Sequence, residues 1–397
     1  MATHIEERLA RPGPKKLLAL DGGGMRGLIA IEILEGVETL LRQRSGNKDL
    51  VLADYFDYVA GTSTGAIIGT AISLGFSMDQ IRPFYLTGAH AMLDPANGVL
   101  RLARKLGPKS VFTKFLSTVG VLASSSMYTQ KALADQIRTT IGSDDGRDAT
   151  LGTDKLRTLL LIVMRNASTD SPWPISNNPR AKFNRRDVDG CNLELPLWQL
   201  VRASTAAPVF FPPEVIRIGN QEFVFVDGGI TVYQNPAFLL FLMATLPEYE
   251  VRWPAGEDKL LLVSVGTGIS ENANLGLRPH QMNLLYNVES LPSALISAAG
   301  VEQDMLCRVF GKTRKGDALD AELGDLVGNR APLPEKLFTY VRYNVDISRQ
   351  GLDRLGLKGI DESAMTPFDD AHAEELRIVG KAAADRCVSV DDFIDFS

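Results

Sequence analysis

Histidine and cysteine are scarce in this chain of 397 residues, with four of the first and three of the second. Cys191, Cys307 and Cys387 are odd in number, widely spaced and without a C-x-x-C pair. Neither a disulfide framework nor a zinc site is suggested, and a reducing compartment fits best. Long hydrophobic runs are also missing: no stretch approaches the roughly 18 apolar residues of a membrane span. Met1 to Lys16 has no apolar signal-peptide core, so a cytoplasmic protein is expected. If its substrate is a lipid, it must meet the inner face of the membrane from the water side. The net charge of -6 gives no global basic field for a nucleic-acid polymer. No internal repeat or low-complexity segment is present. What remains is an ordinary globular composition, 45% hydrophobic and 23% charged, with length a soft prior for about two domains.

Glycine is where the information lies. Gly61-Thr62-Ser63-Thr64-Gly65 reads G-x-S-x-G between Tyr55–Ala60, a buried strand by pattern, and Ala66–Ile72, a small apolar helix. That is the setting of a nucleophile elbow, a sharp strand-to-helix turn that pushes a serine hydroxyl outward. Gly61 and Gly65 let the two backbones pass without a Cβ clash. The plain alternative is a glycine-rich turn with a solvent-facing serine. A second cluster, Asp21-Gly22-Gly23-Gly24-Met25-Arg26-Gly27, follows the short strand Lys16–Leu20 and opens a helix. Gly22, Gly24 and Gly27 satisfy the dinucleotide fingerprint, which also needs an acidic residue about 20 positions on. There the chain has Leu40, Leu41 and Arg42. The same geometry offers backbone N–H groups and a positive helix end to an oxyanion, with Arg26 adding charge or locking the loop. A tight turn without chemistry is the third reading.

A serine nucleophile needs a base. His4 lies in the N-terminal tail and His90 in a helical context, while His280 and His372 follow the order of an α/β-hydrolase triad without strand-end positions. Surface or structural roles suit all four better. Asp227 ends the apolar run Phe223-Val224-Phe225-Val226 and precedes Gly228-Gly229. A carboxylate at a strand's carboxyl end projects toward the site side of an α/β sheet, although Asp before Gly-Gly is also a common turn former.

The three motifs together, in this order at 21–27, 61–65 and 227–229, resemble the patatin-like phospholipase family. The resemblance covers about residues 15–270 and includes Arg202-Ala203-Ser204-Thr205-Ala206-Ala207-Pro208. It implies a patatin-like α/β/α sandwich with a central, mostly parallel sheet. It also implies a Ser63–Asp227 dyad without histidine, an oxyanion hole around Gly22, Gly23 and Gly24 with Arg26 in the same loop, and no metal or cofactor. Tyr233-Gln234-Asn235-Pro236 departs mildly from the Asn-Asn-Pro of many members. In general layout the chain is similar to the CapV-like effectors of cyclic-oligonucleotide antiphage defence, phospholipases switched on by a cyclic dinucleotide. Rival readings are an unregulated lipid esterase for storage or turnover, and a catalytically silent nucleotide-binding module. A homodimer is a further expectation.

The chain divides by pattern into a flexible tail at 1–14, a catalytic core at 15–270 and a C-terminal extension at 271–397 packed on the same domain. Strands are expected at Leu156–Val163, Glu222–Val226, Lys259–Val265 and Phe338–Val345, and helices at Leu197–Ala206, Leu284–Phe310 and Asp370–Ala384. Val99–Val111, with Arg101, Arg104, Lys105 and Lys109, is a basic amphipathic stretch for lipid headgroups or nucleotide phosphates, or a solvated helix face. A lid is expected within 94–127.

Overall fold

The computed structural model describes residues 4–86, 131–270, 277–282, 284–367 and 369–396. The basic stretch at Val99–Val111, the lid expected within 94–127 and His90 lie outside them. The strands are β1 (Lys15–Leu20), β2 (Tyr58–Thr62), β3 (Ser143–Asp144), β4 (Arg147–Asp148), β5 (Leu159–Asn166), β6 (Ser171–Ser176), β7 (Glu214–Ile218), β8 (Gln221–Asp227), β9 (Leu260–Val265), β10 (Lys312–Lys315) and β11 (Thr339–Tyr343). The α-helices are α1 (His4–Ala10), α2 (Gly27–Ser45), α3 (Leu52–Tyr55), α4 (Thr64–Ser73), α5 (Met78–Leu86) and α6 (Lys131–Ile141). They continue with α7 (Leu197–Ser204), α8 (Ala237–Thr245), α9 (Leu284–Phe310), α10 (Arg349–Arg354) and α11 (Ala373–Cys387). None of the described helices is long and apolar enough to cross a membrane.

A nine-stranded sheet in the order β10-β11-β9-β1-β2-β5-β8-β7, with β6 also on β5, organises the molecule. Pairing is parallel from β10 to β5 and antiparallel for β6, β7 and β8. The fold is therefore α/β with a mostly parallel central sheet. Strand β1 is buried along its whole length, as parallel strands covered on both faces are. Alternate residues feed two layers: Leu18 and Leu20 pack with α2, α4, α7 and α11 residues, Leu17 and Ala19 with α1, α8 and β9 residues.

Two expectations change. The segment 1–14 contains helix α1, whose Ile5 and Leu9 pack into the second layer. Tyr55 belongs to the short helix α3, because strand β2 starts only at Tyr58. The segment beyond 270 supplies β10 and β11, which extend the main sheet through β9.

The arrangement of β5 explains how distant residues meet. Val163 pairs with Pro174 of β6 on one side and Thr62 of β2 on the other. Met164 pairs with Trp173 of β6 and Asp227 of β8. Hence β2 and β8 share one edge of β5, running toward each other, and their carboxyl ends meet between Val163 and Met164. Asp227 reaches the carboxyl edge of the parallel strands because its own strand is antiparallel and descends onto it. The parallel-sheet rule behind the sequence expectation is not the cause.

Candidate active site

Ser63 sits between β2 and α4 with φ 54 and ψ -122, a left-handed conformation that a non-glycine residue holds only when its surroundings force it. The forcing is visible. A Cβ on Gly61 would overlap the Gly65 carbonyl, and one on Gly65 would overlap the carbonyls of Leu20 and Asp21. Only glycine lets β2, the start of α4 and the end of β1 pass this closely. The Ser63 N–H donates to Ser204 Oγ at 2.9 Å, and Ser204 Oγ donates to the Val163 carbonyl at 2.6 Å. The end of α7 thus pins the serine's backbone to β5.

Ser63 Oγ donates to Asp227 Oδ2 at 2.7 Å. The other carboxylate oxygen accepts from the Gly229 N–H at 2.6 Å, which fixes the side chain's rotation. Asp227 is buried, and burial pushes its carboxyl pKa up to about 6 against the pull of the Gly229 N–H, the Ser63 hydroxyl and the Arg202 charge. Arg202 is itself fully buried on α7, over the Phe211 ring, with Nη2 donating to the Pro212 carbonyl at 3.0 Å. Its Nε and Nη1 have no hydrogen-bond partner among the described residues, and burial lowers its pKa. Arg202 and Ser204 stand in the quoted Arg-Ala-Ser-Thr-Ala-Ala-Pro segment, but no role followed from it. A cation in the otherwise apolar helix pattern of Leu197, Leu200 and Val201 was the available signal.

The glycine loop closes the other side. Gly24 and Ser63 line one apolar pocket with Met25, Ile67, Tyr85 and Phe211 among its walls. Gly24 has φ 58, and a Cβ there would strike the Pro367 carbonyl; one on Gly23 would strike Thr267 Oγ1. Thr267 Oγ1 donates to the Gly22 carbonyl at 2.7 Å. The Gly22 N–H donates to the Gln234 carbonyl at 3.1 Å and the Met25 N–H to Pro367 at 2.8 Å. Gly22 is expected to offer its N–H to an oxyanion; here that N–H is occupied, and among the described residues the N–H groups of Gly23 and Gly24 have no such backbone partner. Arg26 differs too. It lines a second cavity with Asp21, Gly22, Gln234 and Thr267 and does not line the pocket at Ser63. Its Nε is buried without a hydrogen-bond partner among the described residues, and burial lowers its pKa.

Asp21, which opens the loop, is buried and accepts two bonds from Arg342 of β11, at 2.9 and 2.6 Å. Arg342 also donates to Ser264 Oγ at 2.6 Å, and Ser264 Oγ donates to Asn235 Oδ1 at 3.2 Å. Burial raises the Asp21 pKa, and Arg342 offsets part of that rise. Gln234, at the departure from Asn-Asn-Pro, packs its amide against both Gly22 and Gly229. His4 pairs with Glu7, His372 stands before α11 with its ring beside Glu375, and His280 sits in an exposed turn. Among the described residues no histidine lines the pocket at Ser63.

The sequence comparisons with known proteins agree on one family. The family model for "Patatin-like phospholipase" matches residues 18–241. Patatin-like protein 1 of Arabidopsis thaliana is 27% identical over 373 residues, covering 83% of each chain. Patatin-17 of Solanum cardiophyllum is 28% identical over 270 residues, covering 64% of this chain and 60% of its own length. Among solved structures, VipD from Legionella pneumophila aligns over 92% of this chain and 67% of its own, at 15% identity and a TM-score of 0.37.

Proposed function

The chain belongs to the patatin-like phospholipase family, and from that premise we propose that it is a lipid acyl hydrolase working through Ser63 and Asp227. The observation that carries this reading is the 2.7 Å bond from Ser63 Oγ to Asp227 Oδ2 at a strained elbow. Asp227 removes the Ser63 proton as Oγ attacks the ester carbonyl. The carbonyl oxygen, now anionic, rests on the N–H groups of Gly23 and Gly24, at the mouth of the first turn before α2. Collapse of the tetrahedral intermediate breaks the acyl C–O bond, and Asp227 returns the proton to the departing alcohol or lysolipid. Water then attacks the acyl-enzyme, with Asp227 taking its proton and Ser63 recovering its own.

A carboxylate with an ordinary pKa near 3.9 is a poor base at neutral pH. One raised to about 6 remains mostly ionised at pH 7 while gaining proton affinity, which suits a general base. The apolar pocket beside Ser63 suits an acyl chain. The test is release of fatty acid from phospholipid by wild type, Ser63→Ala and Asp227→Asn, with fluorophosphonate labelling of Ser63. Hydrolysis by Ser63→Ala at the wild-type rate overturns the reading.

Switching by a cyclic dinucleotide belongs to the same proposal at a finer level. Its support is a cleft of about 370 Å³ that the C-terminal segment builds, with Lys315, Arg342, Arg354 and Arg386 on its walls beside Asp317 and Asp346. A panel of cyclic dinucleotides is expected to raise hydrolysis; flat activity across the panel removes the switch and leaves the unregulated esterase.

A further inference from the structure

Helix α9 carries a stretch that nothing in the catalytic reading uses. From Ser290 to Val301 it has no charged residue, and Leu291, Leu295, Ile296 and Val301 supply its bulk. Residues 291 to 295 are all exposed in succession. Five consecutive helical residues cover more than a full turn, so no side of that turn faces the core. Leu291 is 54% and Leu295 68% exposed. A surface helix of a globular protein shows one apolar stripe and one polar face, whereas a helix apolar all round is one that is buried on all sides.

The position of this turn matters. Ile296, Ser297, Gly300 and Val301 line the second cavity together with Gly22 and Gln234. Helix α9 also contacts the turn Gly228–Ile230 that follows Asp227. At 1.5 Å per residue, Leu295 is about 9 Å or less along the axis from each of these cavity-lining positions. The same region exposes Ile230 and Val232 just beyond Asp227.

We infer that the Leu291–Leu295 turn of α9 is a docking element that sinks into the surface of a lipid bilayer. The inference rests on the lipid-hydrolase reading for its occupant. A second copy of the chain could cover one side of such a turn and would leave the others in water. A lipid surface surrounds it, and the uncharged run fits that medium. The turn is far too short to span the hydrocarbon, so it lies in the interface beside the loops that carry the site.

The experiment uses the full chain carrying Ser63→Ala, so that binding is read without hydrolysis, and flotation with mixed phosphatidylethanolamine and phosphatidylglycerol vesicles. The parent is expected to float, and Leu291→Asp with Leu295→Asp to weaken that binding roughly tenfold or more, given the apolar area of two leucines. In the active background the same pair is expected to lose vesicle hydrolysis while turnover of a soluble short-chain ester stays unchanged. Leu295→Trp is expected to keep flotation and to gain quenching by brominated lipid beyond that of the parent. Equal flotation of parent and double variant overturns the inference, as does a parent that does not float. A parent dimer that the double variant dissolves, without vesicle binding, also overturns it in favour of a second copy. Flotation that depends on the leucines in a protein hydrolysing no ester supports the docking element and removes the hydrolase reading alone.

Discussion

Asp227 is asked to do two things that oppose each other. Its burial raises proton affinity, which helps a base, but it also holds a charge where water does not reach. The folded-state pKa of about 6 lies above the ordinary value of 3.8. The contribution of this group to stability is thus fully present at low pH and is lost as pH rises from about 4 through about 6. At 1.36 kcal/mol per pKa unit the loss is on the order of 3 kcal/mol. Asp227→Asn keeps the shape, can still accept from the Gly229 N–H and can donate to Ser63 Oγ. It is expected to cut kcat/KM by roughly 10³- to 10⁴-fold and to raise unfolding stability by about 1–3 kcal/mol at pH 7.5. Urea melts at pH 4 and pH 7.5 check this: the gain should shrink at the lower pH, and an equal gain at both sinks the account. Wild-type kcat/KM is expected to rise with pH through about 6 and then level, reporting the free enzyme's base. A profile already flat below pH 5 would remove Asp227 from that role.

At the scale of elements, the site is a meeting of strand ends. Strand β2 delivers Ser63, β8 descends to deliver Asp227, and β1 delivers the glycine loop, tied down by β11 through Arg342. The motif positions were legible because each sits where an apolar run breaks into glycine, as Gly61–Gly65 and Asp227-Gly228-Gly229 do. What the sequence could not show is pairing across distance. Asp21 and Arg342 are 321 positions apart, and no periodicity marks an arginine as the partner of one aspartate among many. The head-to-head arrangement of β2 and β8 was hidden for the same reason, since strand direction leaves no trace in alternation. Removing one member of a buried pair strands the other's charge and costs about 3–5 kcal/mol. Arg342→Met is expected to lose stability in that range and to lower kcat more than it raises KM, because the loop it anchors holds the proposed oxyanion donors. Adding Asp21→Asn should recover part of the stability, and a double-mutant cycle in urea measures the coupling. Additive losses would show that the two side chains act separately. Gly65→Ala has no such rescue, because its Cβ would meet backbone carbonyls of β1; it is expected to abolish both labelling of Ser63 and a cooperative melt.

For the whole molecule the question is whether the segment after 270 is an appendage or part of the folding unit. By pattern it reads as an extension, because the motifs stop there. In three dimensions β11 pairs with β9 over Thr339–Tyr343, and β9 is buried along all six of its residues. Helix α11 packs along α2, with Leu376, Val379 and Ala383 in the same apolar layer as Ile29 and Ile33. A Cβ on Gly380 would run into the backbone of Ile29, so the two helices are in backbone contact. Ending the chain at residue 270 would expose a hydrophobic central strand as an open edge, a template for aggregation. It would also leave Asp21 as an unpaired buried carboxylate beneath the glycine loop. We therefore expect the full chain to unfold in one calorimetric transition, with van't Hoff and calorimetric enthalpies equal. The 1–270 fragment is expected to show no cooperative melt and no fluorophosphonate labelling. A fragment that melts cooperatively and labels at Ser63 would make 15–270 an autonomous catalytic domain and reduce the last two strands to a covering. The pairing of β9 on both edges argues for the first outcome, because a strand so placed has no edge left for water.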